Sequence, residues 1–204
     1  MNKKIIKKQL INLYVSGKSM AEIATFLNCS IHKIEYWMEK YGIKRRSRSE
    51  ATYIKRNPDG DPFKIKTKLS KDDKFLFGLG IGIYWGEGTK VSKHSLRVAN
   101  TDPGIIKAFV KFLTEICQLR RDKISYSIIC FNDTDPNIAR NFWAQELKIS
   151  PDKFGKITQI PKQGKGTYKK KSLYGVCTVR ASNIKLRNWL MSKIKLTRDV
   201  ISPD

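Results

Sequence analysis

Between Phe75 and Gly88 the chain reads FLFGLGIGIYWGEG, an apolar run punctuated by Gly78, Gly82 and Gly86 and ended by one carboxylate, Glu87. Steps of four keep residues on one face of a helix, so these glycines form a notched stripe. Each glycine inside a helix costs about 1 kcal/mol relative to alanine, and three survive only where that face needs them. Close approach of a second backbone supplies such a need, as in small-xxx-small helix pairs, although this run is too short for a bilayer span and ends in an acid. If the second backbone is the same helix from another copy, a two-fold axis sets two Glu87 carboxylates side by side. Paired carboxylates can hold a divalent metal, and such metals hydrolyse phosphodiesters. The competing reading is an amphipathic helix whose glycines pack beneath a sheet, with Glu87-Gly88 as a solvated end. Gly80 lies in the run but off the stripe, and the pattern gives no reason for it.

The chain has 204 residues, enough for one ordinary domain and a small one, with 41 Lys+Arg against 18 Asp+Glu and a formal charge of +23. A field of that sign selects a polyanion, nucleic acid first. The basic residues are spread over several segments, and no long apolar span, signal peptide or lipidation motif is present. These features argue against a membrane partner and for a cytoplasmic, nucleoid-associated location. Nothing calls for a small-molecule substrate. Cys29, Cys117, Cys130 and Cys177 sit singly in apolar stretches, as small core residues do in a reducing compartment, and no pair has zinc-ligand spacing.

The spacing of Ile6, Leu10, Leu13 and Tyr14 predicts a first helix ended by Gly17. Ser19 with Glu22 forms a capping box for a short second helix, and Ser30 caps a third, residues 31–41, closed by Gly42. Short helix, tight turn, capped longer helix is the helix-turn-helix order, whose second member lies in the DNA major groove. GKSMAEIATFLNCSIHKIEYWMEKYGI resembles the helix-turn-helix of resolvases and bacterial regulators. On that resemblance Ile34 and Trp37 pack inward, while Ser30, His32, Lys33, Glu35 and Tyr36 face bases and phosphates. A three-helix protein-interaction module is the alternative. Lys44, Arg45, Arg46 and Arg48 follow at once, a basic arm suited to the minor groove or to phosphates, or else a solvated linker. The expected division is residues 1–50, a linker over 51–69, and a second domain over 70–204.

In that second domain the sequence predicts the glycine helix capped by Ser70, strands in TKVS and SLRVAN, a helix from Asp102-Pro103 to Leu119 and a strand in KISYSIICF. A helix from Asp135-Pro136 to Leu147, strands over 154–160 and in YGVCTVRAS, and a final helix over 183–196 complete the order. The fold class is α+β: an antiparallel sheet with helices on one face and a basic open face. GIGIYWGEG followed by this order resembles the LAGLIDADG homing-endonuclease family over about residues 70–198. The resemblance implies motif helices at a central interface, sheets saddled on the major groove, and Glu87 with Gly88 at a catalytic divalent metal, Mg²⁺ or another such cation. A single motif implies a homodimer paired through Gly78, Gly82 and Gly86 on double-stranded DNA, with Lys90, Arg97 and Arg180 as assisting basic residues. Trp85 stands where the motif is often acidic, and Gly80 where it opens on leucine. The family's fold also serves a non-cleaving regulator joined to a helix-turn-helix, which is the alternative function; a structural RNA binder is a third.

Residues 154–171 hold lysines at 156, 162, 165, 169, 170 and 171, no acid, and several Gly and Pro. They read as a loop on DNA phosphates, with Lys165, Lys169 and Lys170 in contact, or as a solvated loop.

Overall fold

The protein is described by a computed structural model over residues 5–161 and 172–202. It divides into two compact units, Met1–Pro62 and Phe63–Asp204.

The first unit is helical: α1 (Lys7–Val15), α2 (Met20–Phe26), α3 (Ile31–Lys40) and α4 (Arg48–Arg56). Ser19 and Glu22 close a reciprocal capping box on α2, and the Ser30 hydroxyl accepts from the Lys33 N–H at 3.3 Å. Between α2 and α3 the chain turns through Asn28 at φ 46°, a left-handed conformation that asparagine tolerates. Leu10, Ile23 and Ile34 are wholly buried beside Tyr14 and Met38. Each such aliphatic side chain contributes about 1.5–3 kcal/mol by leaving water.

Helix α4 was not expected. It has no buried residue, so it leaves no hydrophobic period to read. A Ser47/Glu50 capping box starts it, and Ile54 packs at Gly17, where an added Cβ would lie 3.1 Å from the Ile54 methyl.

The second unit begins before the helix that the sequence assigned as its start. Phe63, Ile65 and Leu69 pack on its core, and the Lys64 and Lys66 N–H groups donate to the Cys117 and Ile116 carbonyls at 3.0 and 2.9 Å. Residues 51–69 are therefore shared between the end of the first unit and the start of the second rather than forming a free linker. The elements that follow are α5 (Lys71–Glu87), β1 (Leu96–Asn100), α6 (Pro103–Lys111) running into a π-helical turn (Phe112–Ile116), and β2 (Ile124–Phe131). Then come α7 (Pro136–Leu147), β3 (Thr158–Ile160), β4 (Val176–Ala181) and α8 (Ile184–Ile201).

The unit is α+β, as its sequence order requires, but the sheet is mixed rather than antiparallel. Its strand order is β1-β4-β2-β3, with β1/β4 and β4/β2 antiparallel and β3 parallel to β2. Because β3 is reached from β2 through α7, that pair forms a crossover connection, which parallel strands require. TKVS makes no strand; its Thr89 N–H donates to the Arg97 carbonyl at 2.9 Å, and the isolated bridge beside it joins Val98 to Gly88, which precedes the segment. Ile124, Tyr126, Ile128 and Cys130 of β2, with Cys177, Val179 and Ala181 of β4, face the helices. There they meet Tyr84, Phe109, Phe112 and Trp143, whose indole N–H donates to the Tyr174 carbonyl at 2.8 Å. Cys117, Cys130 and Cys177 are buried free thiols, and burial pushes Cys177 up to about 12.

Ser70 and Asp73 form the capping box of α5, and Lys66 Nζ lies 2.8 Å from the Asp73 carboxylate. The Lys66 hydrogen bond first, then the Ser70 N–H and hydroxyl, hold the Asp73 carboxyl down to about 2 from an ordinary 3.8. A lowered folded value means that this contribution to stability is complete above about pH 4 and disappears as pH falls toward 2. Asp73→Asn should lower Tm at neutral pH and flatten the acid limb of a Tm-against-pH curve below about pH 4. An acid limb identical to that of the parent would remove Asp73 from that role.

Candidate nucleic-acid interface

Helix α5 has two kinds of glycine. A Cβ added at Gly78, Gly82 or Gly86 would meet nothing within 4 Å, and all three are exposed. Phe75 and Leu79 share that face at 72% and 38% exposure. The stripe therefore lies outside the unit and not beneath its sheet. Gly80, which the pattern did not explain, is the buried one. Its added Cβ would sit 2.2 Å from Cγ of Phe112, so the bare backbone there is where the aromatic ring of the π turn packs.

Glu87 is the last residue of α5 and is exposed. The backbone on either side of it is fixed. Gly88 donates its N–H to the Tyr84 carbonyl at 3.0 Å, and an added Cβ there would be 2.3 Å from the Tyr84 ring. The Tyr84 hydroxyl donates to the Thr89 carbonyl at 3.0 Å. Lys90 Nζ donates to the Trp85 carbonyl, and Arg187 donates to the Lys90 carbonyl at 3.1 Å. Lys90 thus caps the helix end, a favourable place for a cation. It is a positioning residue for the Glu87 turn rather than a free phosphate contact.

As metal donors, the Glu87 carboxylate and the Gly88 carbonyl are hard oxygens of the type that divalent cations take. They are too few. Among the described residues no group of three or more His, Cys, Asp or Glu side chains comes together.

The open face of the sheet carries its charge in one row. Arg97 of β1 lies directly opposite Arg180 of β4, which lies opposite Ser125 of β2, and both arginines are exposed. The next row is Ala99, Thr178 and Ser127. Like charges placed directly across a strand pair are destabilising by a few tenths of a kcal/mol or more. An anion lying across the row removes that repulsion.

In the first unit, Ser30 is occupied as the α3 cap, Lys33 is half-buried, and His32 and Tyr36 are exposed on the outer face of α3. Tyr36 stacks edge-on to Trp37 at 5.4 Å, with Lys40 Nζ over both rings. Lys44, Arg45 and Arg48 are exposed. Arg46 is not part of a free arm: its guanidinium lies 3.9 Å from the Tyr14 ring centroid and donates to the Gly17 and Lys18 carbonyls at 3.3 and 3.1 Å. Its N–H donates to the Tyr14 hydroxyl at 2.8 Å, so Arg46 fastens the segment after α3 to the turn between α1 and α2. Lys165, Lys169 and Lys170 lie outside the described residues. Among those described, no helix is long and apolar enough to cross a membrane.

The chain matches no protein-family model, no curated protein and no solved structure.

Proposed function

We propose that the protein is a site-specific double-stranded DNA-binding protein that acts as a homodimer and cleaves its target with a divalent metal. One observation carries this reading: the three stripe glycines face open space, and the exposed carboxylate of Glu87 follows the last of them by one residue. A second α5 laid along that face brings bare backbone against bare backbone and two Glu87 side chains to one end. Two half-sites of hard oxygen then make up a number of donors that one chain lacks. A divalent cation supplies Lewis-acid activation of water and of the phosphoryl oxygen when bound. The chain's own part is to hold each Glu87 by the Tyr84, Lys90 and Arg187 contacts and to seat backbone phosphates on Arg97 and Arg180. Helix α3, presented by the Ser30 cap, reads the major groove.

The test is a randomised duplex library scored for both binding and cutting, with Mg²⁺ and with chelator. Glu87→Gln should bind selected duplexes as the parent does while cutting falls about a hundredfold or more, since a metal centre supplies several kcal/mol to the transition state. A parent protein that binds selectively in Mg²⁺ and never nicks its site would overturn the nuclease assignment.

The second reading is a non-cleaving transcription regulator with the same dimer and the same DNA. The half-buried indole of Trp85, packed under Arg198 at 5.5 Å, favours it, because that position offers no further metal donor beside Glu87. It is distinguished by selective binding that chelator leaves unchanged.

A further inference from the structure

Helix α3 carries two acids, Glu35 and Glu39, on a chain whose charge otherwise draws in polyanions. Their surroundings differ. Glu35 is engaged through both oxygens: Oε2 lies 3.3 Å from Nδ1 of His32 and Oε1 lies 3.3 Å from NH1 of Arg45. A carboxylate only accepts, so the Nδ1–H of His32 donates to it. Glu39 is exposed and, among the described residues, pairs with no cation. Arg45 in turn borders a shallow depression lined by Lys44, Arg45, Arg46, Ser47 and Glu50. There three cations face a single acid, and that acid is occupied, since Glu50 Oε2 accepts from the Ser47 N–H at 2.7 Å and from its hydroxyl at 2.8 Å. Arg46 is held on Tyr14 and forms one wall.

We propose that this depression receives one backbone phosphate of duplex DNA and that Glu35 is the positioning residue that holds Arg45 at its rim and ties it to His32 on α3. The inference rests on the DNA-binding reading of the first unit. The Arg45 guanidinium spends NH1 on Glu35 and keeps further N–H donors for a phosphate oxygen. Holding that long side chain in one place before the ligand arrives reduces the ordering cost of binding.

The consequence has a sign opposite to plain electrostatics. Removing a negative charge from a DNA-facing helix ordinarily tightens binding, whereas loss of this acid releases Arg45 and weakens it. Because exposed ion pairs add little to folding, Glu35→Gln should keep the parent's Tm. In the full chain, anisotropy titrations against a selected duplex at several salt concentrations should show Glu35→Gln binding about fivefold more weakly, with the slope of log K against log salt smaller by about one. Glu39→Gln should bind as tightly as the parent or more tightly. In an Arg45→Ala background, Glu35→Gln should cause no further loss.

Glu35→Gln binding as tightly as the parent or tighter, while the parent binds selectively, would overturn the phosphate site alone. Equal weakening by Glu39→Gln would do the same, because that acid holds no cation among the described residues. A parent with no preference for any duplex would overturn this site together with the DNA-binding reading.

Discussion

Gly80→Ala should cost the second unit about 3 kcal/mol and lower its Tm by roughly 10 °C, although the substitution is favourable by helix propensity. The added methyl carbon would lie 2.2 Å from Cγ and 2.8 Å from Cβ of Phe112, far inside contact distance. Phe112 cannot swing away. It is fully buried, with Phe109 stacked at 6.0 Å and Trp189 at 6.5 Å, and α5 is pinned at both ends by the Ser70/Asp73 box and the Gly88 turn. Against a total stability of about 5–15 kcal/mol, a loss of that size is large. Thermal unfolding followed by circular dichroism measures it. A Tm within a degree or two of the parent would show that the π turn adjusts and that the packing of Phe112 on Gly80 is loose.

Gly82→Leu, two residues along the same helix, should do the reverse: leave the fold intact and abolish assembly. An added side chain at Gly82 meets nothing within 4 Å in the chain, and leucine is the better helix former by about 1 kcal/mol. The protomer should therefore unfold at or above the parent's temperature. In the proposed seam, however, each leucine enters space that the partner's backbone fills, and a close helix pair cannot absorb two such side chains. Light scattering should report a dimer for the parent and a monomer for the variant, and affinity for a two-half-site duplex should fall by orders of magnitude as the second contact is lost. A variant that remains dimeric would place the seam elsewhere on the surface. The two variants together test folding and the proposed assembly separately on one helix.

Much of the secondary structure was legible because its signals are local. Ser19 with Glu22, Ser30, Ser70 with Asp73, Asp102-Pro103 and Asp135-Pro136 each cap a helix where the sequence placed one. The strand expected in KISYSIICF is β2, whose residues alternate inward and outward. What escaped depends on partners distant in the chain. Helix α4 has no fully buried residue, and Ile54 packs at Gly17, 37 positions back along the first unit. The three residues of β3 carry no mark of which neighbour they join or in which direction, so the parallel pairing with β2 was not readable. TKVS has strand-forming residues, but the isolated bridge to β1 falls on Gly88, just before it. The break of the Asp102 helix into a π turn at Phe112 is likewise a response to packing.

The candidate site divides the same way. The glycine stripe, the terminal acid and a basic open face of the sheet were visible in the sequence. That Arg97 and Arg180 stand directly opposite each other was not, since 82 intervening positions separate them before strand register brings them together. Arg46 and Lys90 look like free cations in sequence, and only the fold shows them fastening a turn and a helix end. His32 and Glu35 have a spacing that allows contact on a helix, but the Arg45 partner lies beyond the helix end.

The facing arginines on β1 and β4 give ionic strength two opposed roles. Dissolved salt shields Arg97 from Arg180 and so relaxes the free sheet, while the same ions compete with any phosphate chain for that row. On the proposed DNA-binding reading, the buffer that most relaxes the empty sheet is therefore not the one in which this row would hold a phosphate chain best.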